Sequence, residues 1–285
     1  MRAKLLITFI FLLFAGPLAA QDLTGTLKQI DASGQIRIGY RDSHPPMSFV
    51  APNGKPDGYS IDICKAIAAG IESKLGKSLK IKYVHVTATD RFEAVEKNRI
   101  DILCGSTTKT LSRGERVDFT QLTFVTGASL MTLAENDKFE TAGFDGSKIG
   151  VLKSTTTEVV LKDLIRDTGT DAEIILYNST KDGVDALRQK KIDAFSADQV
   201  VLIGIASDEK DRGTFEIKPQ VFSFEPFALA VRRNDSDFRL AADRVISELY
   251  RTKKIYDIYD RWVGKYTRQR LPIFDAMVQL NATPE

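Results

Sequence analysis

The chain has 285 residues, 43% of them hydrophobic and 27% charged, with 40 Lys and Arg against 38 Asp and Glu. These totals describe an ordinary globular protein of one large domain or two of usual size. A nearly neutral chain has no electrostatic footprint for a polyanion, so nucleic acid is disfavoured as a partner.

Met1-Arg2-Ala3-Lys4 is cationic, Leu5 to Ala15 is almost unbroken apolar, and Gly16-Pro17-Leu18-Ala19-Ala20 is mostly small. This layout predicts a secretory signal over residues 1–20, cleaved after Ala20, with an apolar run too short to span a bilayer. Removing it takes away Arg2 and Lys4 and leaves 38 bases against 38 acids. No Cys follows the cut, so no lipid anchor is expected there, and the mature protein is expected to be exported and soluble. Cys64 and Cys104 remain as the two cysteines. An even count in an oxidising compartment predicts a disulfide. It would close a loop of about 40 residues, worth about 3–4 kcal/mol; two separate buried thiols are the alternative. His44 and His85 lack the spacing of a metal site, and no metal or cofactor is expected. His85 reads as a half-buried strand residue and His44, beside Pro45-Pro46, as a loop residue.

From Gln35 onward strands alternate with helices. Ile36, Ile38 and Tyr40 alternate with polar neighbours in a first strand. Pro52-Asn53-Gly54-Lys55-Pro56-Asp57-Gly58 is turn material, after which Ser60 is expected to cap a helix. Ile63, Ile67, Ile71 and Leu75 mark its apolar face, Cys64 lies one position off that stripe, and Gly76 ends it. A strand is expected over 80–87, a short helix over 90–98 and a strand over 100–103. A second unit starts at Lys148: strand 148–152, helix through Ile165, strand 173–177, helix 181–190, strand 192–196 and helix 199–206. Residues 216–233 alternate like extended chain, and helices over 236–251 and 254–263 follow. Strands separated by helices of this length imply parallel pairing, and two such units fit two α/β lobes.

Ligands of parallel α/β sheets bind at the carboxyl ends of strands. In the first unit those places hold Arg41-Asp42-Ser43, residues 87–91 with Arg91, and Gly105-Ser106-Thr107-Thr108 with Arg113 beyond. In the second they hold Ser154-Thr155-Thr156-Thr157, residues 178–182 and Asp198. Three arginines and hydroxyls facing further hydroxyls, helix-start amides and a carboxylate suit a small zwitterionic acid.

Gly58-Tyr59-Ser60-Ile61-Asp62, the run Ile100-Asp101-Ile102-Leu103-Cys104-Gly105-Ser106-Thr107-Thr108, Arg113 and Val117-Asp118-Phe119-Thr120 together resemble the family 3 extracellular solute-binding proteins. These are periplasmic amino-acid receptors of ABC importers, and the likeness runs over about residues 34–265. Lys153 to Glu158 and Asp193-Ala194-Phe195-Ser196-Ala197-Asp198 most resemble the glutamate/aspartate branch. The resemblance implies a two-lobed type II binding-protein fold, each lobe a doubly wound, mainly parallel sheet, joined by two crossing strands. Residues 22–126 and 226–285 would form the first lobe and 129–222 the second, with crossings near 127–129 and 222–227. It also implies a monomer that meets a membrane permease transiently. Arg113 matches the grip on the α-carboxylate, with Ser106, Thr108, Thr155 and Thr156 adding contacts. Asp198 matches the partner of the α-ammonium, and Arg41 and Arg91 the holders of a side-chain carboxylate. Surplus positive charge among these groups calls for further acids, for which Asp42, Asp90 and Asp182 are candidates. Ala88 and Thr180 depart from the branch pattern by removing a hydroxyl and a histidine, which leaves aspartate, glutamate and their amides open.

Two enzyme readings compete. Ser106-Thr107-Thr108-Lys109 fits the S-x-x-K pattern of serine acyl-enzymes, though on a loop and without K-T-G or S-D-N elements. Dehydratases similar to this family act on prephenate or arogenate with a pocket acid, for which Asp90 or Asp182 would serve. A receptor that signals through a membrane partner is a third reading.

Overall fold

The computed structural model describes residues 23–136, 144–208, 210, 212–267 and 270–285; the expected secretory signal lies outside them. In chain order it begins with α1 (Gly25–Ser33), β1 (Gln35–Tyr40), β2 (Ser43–His44), β3 (Ser48–Val50), β4 (Pro56–Asp57) and α2 (Tyr59–Leu75). Then come β5 (Lys80–His85), α3 (Arg91–Glu96), β6 (Ile102–Cys104), α4 (Leu111–Gly114) and β7 (Val117–Thr126). The middle contains β8 (Ala128–Leu133), β9 (Ser147–Leu152), α5 (Thr156–Thr168), β10 (Ala172–Tyr177), α6 (Thr180–Arg188), β11 (Ala194–Asp198), α7 (Gln199–Ala206) and β12 (Phe215–Ile217). The chain closes with β13 (Glu225–Arg232), α8 (Ser236–Arg251), α9 (Lys254–Tyr259), a π-helical turn (Asp260–Gly264) and α10 (Pro272–Leu280).

Two five-stranded sheets carry the fold, in the orders β5-β1-β6-β13-β7 and β10-β9-β11-β8-β12. Within each, three strands pair in parallel and one strand, β13 or β8, runs against its two neighbours. Four strands of each sheet therefore share a direction, the mainly parallel arrangement expected of α/β lobes. The reversed strand of each sheet is the one the chain enters on arriving from the other sheet. Those passages run side by side: the Ala128 amide donates to Ser223 Oγ at 2.9 Å and the Phe222 amide to Ala128 O at 3.0 Å. Gly127 lies between them, where a Cβ would stand 2.5 Å from Ser223 O, so only glycine fits.

The apolar face of α2 buries Ile63, Ile67 and Ile71 completely. Gly76, at φ 65°, ends the helix in the left-handed conformation glycine adopts freely. Its start differs from the sequence expectation. Gly58 precedes the helix at φ 131°, and Ser60 lies in the first turn, where its hydroxyl donates to Gly105 O at 3.0 Å. The terminal helix also differs, stopping as an α-helix at Tyr259 before the π-helical turn. His85 is exposed at the end of β5 and faces Asp42 across 3.2 Å, rather than half-buried. His44 belongs to β2 and is buried, not a solvated loop residue. β8 carries no alternating signal because it is buried along its whole length, and in β7 the alternation of Val117 and Phe119 loses phase before Leu122 and Phe124.

Cys64 on α2 and Cys104 at the end of β6 form a disulfide, with Cα atoms 6.4 Å apart and both residues fully buried. It fixes the helix beneath the loop that begins at Gly105. Replacing both cysteines by serine is expected to lower the melting temperature by about 10 °C, from the loop-closure entropy and the enthalpy scale of a chain this size. Calorimetry under non-reducing conditions checks this, and an unchanged melting temperature would refute it.

Candidate functional site

The carboxyl ends of β1, β5 and β6 deliver charge. Arg41 follows β1 directly, and its amide is held by Ser48 Oγ at 2.9 Å. Arg91 opens α3, and Ser106 and Thr108 lie on the loop after β6. Arg113 sits on α4, a single turn capped by Thr110, whose hydroxyl accepts from the Arg113 amide. Arg41 and Arg91 are 5% and 3% exposed, and the Nε of each is buried without a hydrogen-bond partner. Arg91 donates to Ala88 O and to Ser154 O at 3.1 Å, while Arg113 donates to Thr108 O at 2.7 Å. The guanidinium groups of Arg91 and Arg113 lie over the Phe92 ring, 4.5 and 5.3 Å from its centre, a favourable arrangement for cations.

The second sheet supplies helix starts and a carboxylate. Thr155 caps α5: its hydroxyl accepts from the Glu158 amide at 3.1 Å and donates to Leu152 O at 2.6 Å. That hydroxyl therefore has no proton left to donate across the boundary, whereas the Thr156 hydroxyl faces the first lobe. Thr180, on α6, places its hydroxyl 2.9 Å from His44 Nε2. Asp198 ends β11, with Oδ1 buried and unpartnered.

Burial shapes the electrostatics. It pushes the Arg41 pKa down to about 10 and carries Arg91 well below the ordinary range, with Arg113 and Arg41 repelling Arg91 further. Arg113 is lowered by burial, against the attraction of Glu225 and Asp198. Asp198 is pushed up to about 8, first by burial and then by Glu225, against the pull of Arg113 and Arg91.

Arg41, Arg91, Ser106, Thr108, Arg113, Thr156 and Asp198 gather where the two sheets meet. Thr155 stands beside them with its hydroxyl proton committed to Leu152 O. Of the acids expected to offset the arginines, Asp42 and Asp90 attract Arg41 by charge but make their own contacts to other groups. Asp42 faces His85, Asp90 is held by Thr87 and Arg99, and Asp182 is exposed in the first turn of α6. Two residues not singled out by their sequence are involved as well. Glu225, 1% exposed at the start of β13, accepts from Thr108 Oγ1 at 2.5 Å, Thr156 Oγ1 at 2.7 Å and Ser223 Oγ at 2.7 Å. His44 lies between Arg41 Nη2 at 3.1 Å and Ser106 Oγ at 2.7 Å. With guanidinium and hydroxyl donors at Nε2, the neutral ring keeps its proton on Nδ1 and donates it to Ser106. Burial and the nearby Arg41 and Arg91 hold its pKa well below the histidine range. Glu225 opens a strand that is apolar as far as Val231, which marks the strand but not the direction of this side chain, and His44 carried no signal beyond its position three residues after Arg41.

Residues 36–265 match the family described as bacterial extracellular solute-binding proteins, family 3. The chain belongs to that family. It is 29% identical to an L-glutamate/L-aspartate-binding protein of Pseudomonas aeruginosa, over 95% of this chain and 92% of that one. It is 28% identical to a glutamate/aspartate import solute-binding protein of Escherichia coli, over 86% and 81% of the two chains. Among solved structures, an ancestral arginine-binding protein bound to arginine superposes with a TM-score of 0.72 at 25% identity, covering 81% of this chain and 99% of that one. The cysteine-binding protein of Campylobacter jejuni shares the fold, with a TM-score of 0.74 at 23% identity over 88% and 98%. The two sheets are the lobes of this solute-binding fold, and the cleft between them is where the charged groups gather.

The solute-binding protein carries an electrostatic cost at Asp198. Its pKa in the folded chain stands above its unfolded value, so its contribution to stability is complete below the ordinary carboxylate range and is lost as pH rises through about 8. Asp198→Asn is expected to raise the melting temperature of the ligand-free protein more at pH 8 than at pH 5. Equal shifts at both, by scanning calorimetry, would mean that the carboxyl ionises freely.

Proposed function

We propose that this protein is the substrate-binding component of an ABC importer for polar or acidic L-amino acids, with glutamate or aspartate foremost. The observation that carries the reading is the convergence of Arg41, Arg91 and Arg113 with Asp198 in one buried cleft between two lobes. Arg113 takes the α-carboxylate through its planar fork, helped by the amides that open α5, where an anion is favoured. Asp198 takes the α-ammonium, and Arg41 and Arg91 take the side-chain carboxylate, with His44 and Ser106 beside them. Once the incoming α-ammonium holds Asp198 ionised, three guanidinium groups against Asp198 and Glu225 leave one positive charge, which the net single negative charge of glutamate or aspartate balances. The names of the Pseudomonas and Escherichia relatives support the same ligand class, and the import named in the latter supports a permease partner.

Ligand docks on the first lobe, residues 22–126 with 226–285, and the second, 129–222, closes over it about the crossings at 127–129 and 222–227. For micromolar affinity the net binding energy is about −8 kcal/mol, within reach of a few charge-assisted bonds. The protein acts as an exported, periplasmic monomer with residues 1–20 removed, and carries out no turnover. Lys109 is exposed on a loop, not one turn along a helix from Ser106. His44 touches Ser106 but has a guanidinium where a nucleophile's base needs an orienting acid. Asp90 is engaged by Thr87 and Arg99 and Asp182 is exposed, so neither is a buried pocket acid of the kind that a dehydratase reading would use.

A thermal-shift screen of the twenty amino acids tests the reading: glutamate or aspartate is expected to give the largest rise, and no rise with any amino acid would overturn it. Arg113→Ala is expected to weaken every amino-acid ligand at least about a hundredfold, because it strands a buried carboxylate. Arg91→Ala is expected to weaken acidic ligands far more than neutral ones by calorimetry. Equal loss for both classes would refute its role at the side chain.

A further inference from the structure

A ligand meets not only the atoms that line a site but the direction in which their protons point. A threonine hydroxyl has one proton to donate and two lone pairs to offer. Thr108 and Thr156 come from opposite lobes, and their hydroxyl oxygens lie 3.3 Å apart. Both point at the same atom, Glu225 Oε2, at 2.5 and 2.7 Å. A carboxylate only accepts, so both protons are committed to it. The other oxygen of Glu225 accepts from Ser223 Oγ at 2.7 Å, and the residue is 1% exposed, so the group is pinned.

The loop carrying Thr108 is also fastened to the strand that carries Glu225. Thr108 bridges to Phe227, the Lys109 amide donates to Pro226 O at 2.8 Å, and the Ala228 amide donates to Thr107 O at 3.0 Å. Glu225 is near enough to Asp198 and Arg113 to act on the charge of both.

We propose that Glu225 is a positioning residue that fixes the polarity of the cleft: by taking the hydroxyl protons of Thr108 and Thr156, it turns both toward a ligand as acceptors. Such a pair favours an ammonium and disfavours a carboxylate. The α-carboxylate is then left to Arg113 and backbone amides, and the amino group meets Asp198 and two threonine oxygens under the field of a second acid. The protein would thereby select amino acids over the matching deaminated diacids. This inference rests on the amino-acid reading above and adds the residue that enforces it.

Calorimetry with L-glutamate and glutarate, the same diacid without the amino group, tests it. The wild-type protein is expected to prefer L-glutamate. Glu225→Ala frees both hydroxyls to donate, so the preference is expected to fall at least about tenfold, with glutarate held as well as before or better. Glu225→Gln, which keeps one acceptor oxygen and nearly the same volume, is expected to lie between and covers a folding failure of the alanine variant. In a Thr108→Val, Thr156→Val background, Glu225→Gln is expected to change the preference by less than it does in the wild type, since only the field of the acid is then left to remove; an equal change in both backgrounds overturns the role of the hydroxyls. An unchanged preference in both Glu225 variants, or equal loss for both ligands, overturns the role of Glu225 while leaving the amino-acid reading intact. Wild-type protein that binds neither ligand overturns both.

Discussion

Arg41 and Arg91 hold guanidinium groups almost out of reach of water, close enough to repel one another and each with a buried nitrogen unpartnered. Withdrawing such an ion from water costs several kcal/mol unless counter-charge and hydrogen bonds make it good. The chain compensates incompletely. Backbone carbonyls of Ala88 and Ser154 and the neutral ring of His44 supply acceptors, and Phe92 supplies a ring face. Negative charge comes from further off: Asp42, Asp90 and Asp198 attract Arg41, and Asp198 attracts Arg91. Burial still outweighs that attraction at both arginines, so an anion brought against them would be stabilised.

The division of labour between the lobes follows from local structure. The first lobe brings its cations on short, braced elements: α4 is a single capped turn, and the loop after β6 hangs from a disulfide and from the Ser60 hydroxyl. The second brings mainly dipoles, from helix starts capped by Thr155 and Ser179. Ser154 sits at φ 63°, a conformation that side chains other than glycine rarely adopt, and its carbonyl meets Arg91. Strain of that kind is retained where a group must face a partner. Gly204 of α7 lies against the backbone of Pro45 so closely that a Cβ would stand 2.3 Å from its carbonyl oxygen. The two lobes therefore meet through complementary chemistry and close backbone approach.

Much of this was legible in the sequence for a definite reason. Strand ends are marked by where alternation stops, and the α/β rule then says which residues face the cleft, so Arg41, Arg91, Ser106, Thr108 and Asp198 fell out together. The amphipathic α8 has the expected bounds, and so does α7, which is apolar almost throughout. Periodicity was silent for β8, whose burial on both faces erases it, and lost phase within β7. Hydrogen-bond allocation was silent too. Nothing in a sequence says that the Thr155 hydroxyl is spent on its own helix, or that a glutamate after Phe224 folds inward. His44 escaped for a related reason: its neighbours Pro45 and Pro46 signal a turn, and a turn signal says nothing about burial once another lobe packs on it.

The same geometry ties the ligand seat to the passages between the lobes. Ala128, at the first passage, donates its amide proton to the Ser223 hydroxyl, and Ser223 donates its own proton to Glu225. Glu225 in turn receives the protons of Thr108 from one lobe and Thr156 from the other. A rotation of the lobes that separates Thr156 from Thr108 must also draw at least one threonine away from Glu225, because a single oxygen cannot follow both. The bonds from Ala128 to Ser223 and from Ser223 to Glu225 run in one direction and strengthen one another, while the two threonine bonds converge on the other carboxylate oxygen. Ala128, Ser223, Glu225 and the two threonines are in unbroken contact from the passage between the sheets to the gathered charged groups. If the lobes turn about that passage as proposed, the orientation of the two hydroxyls would change with the angle between them.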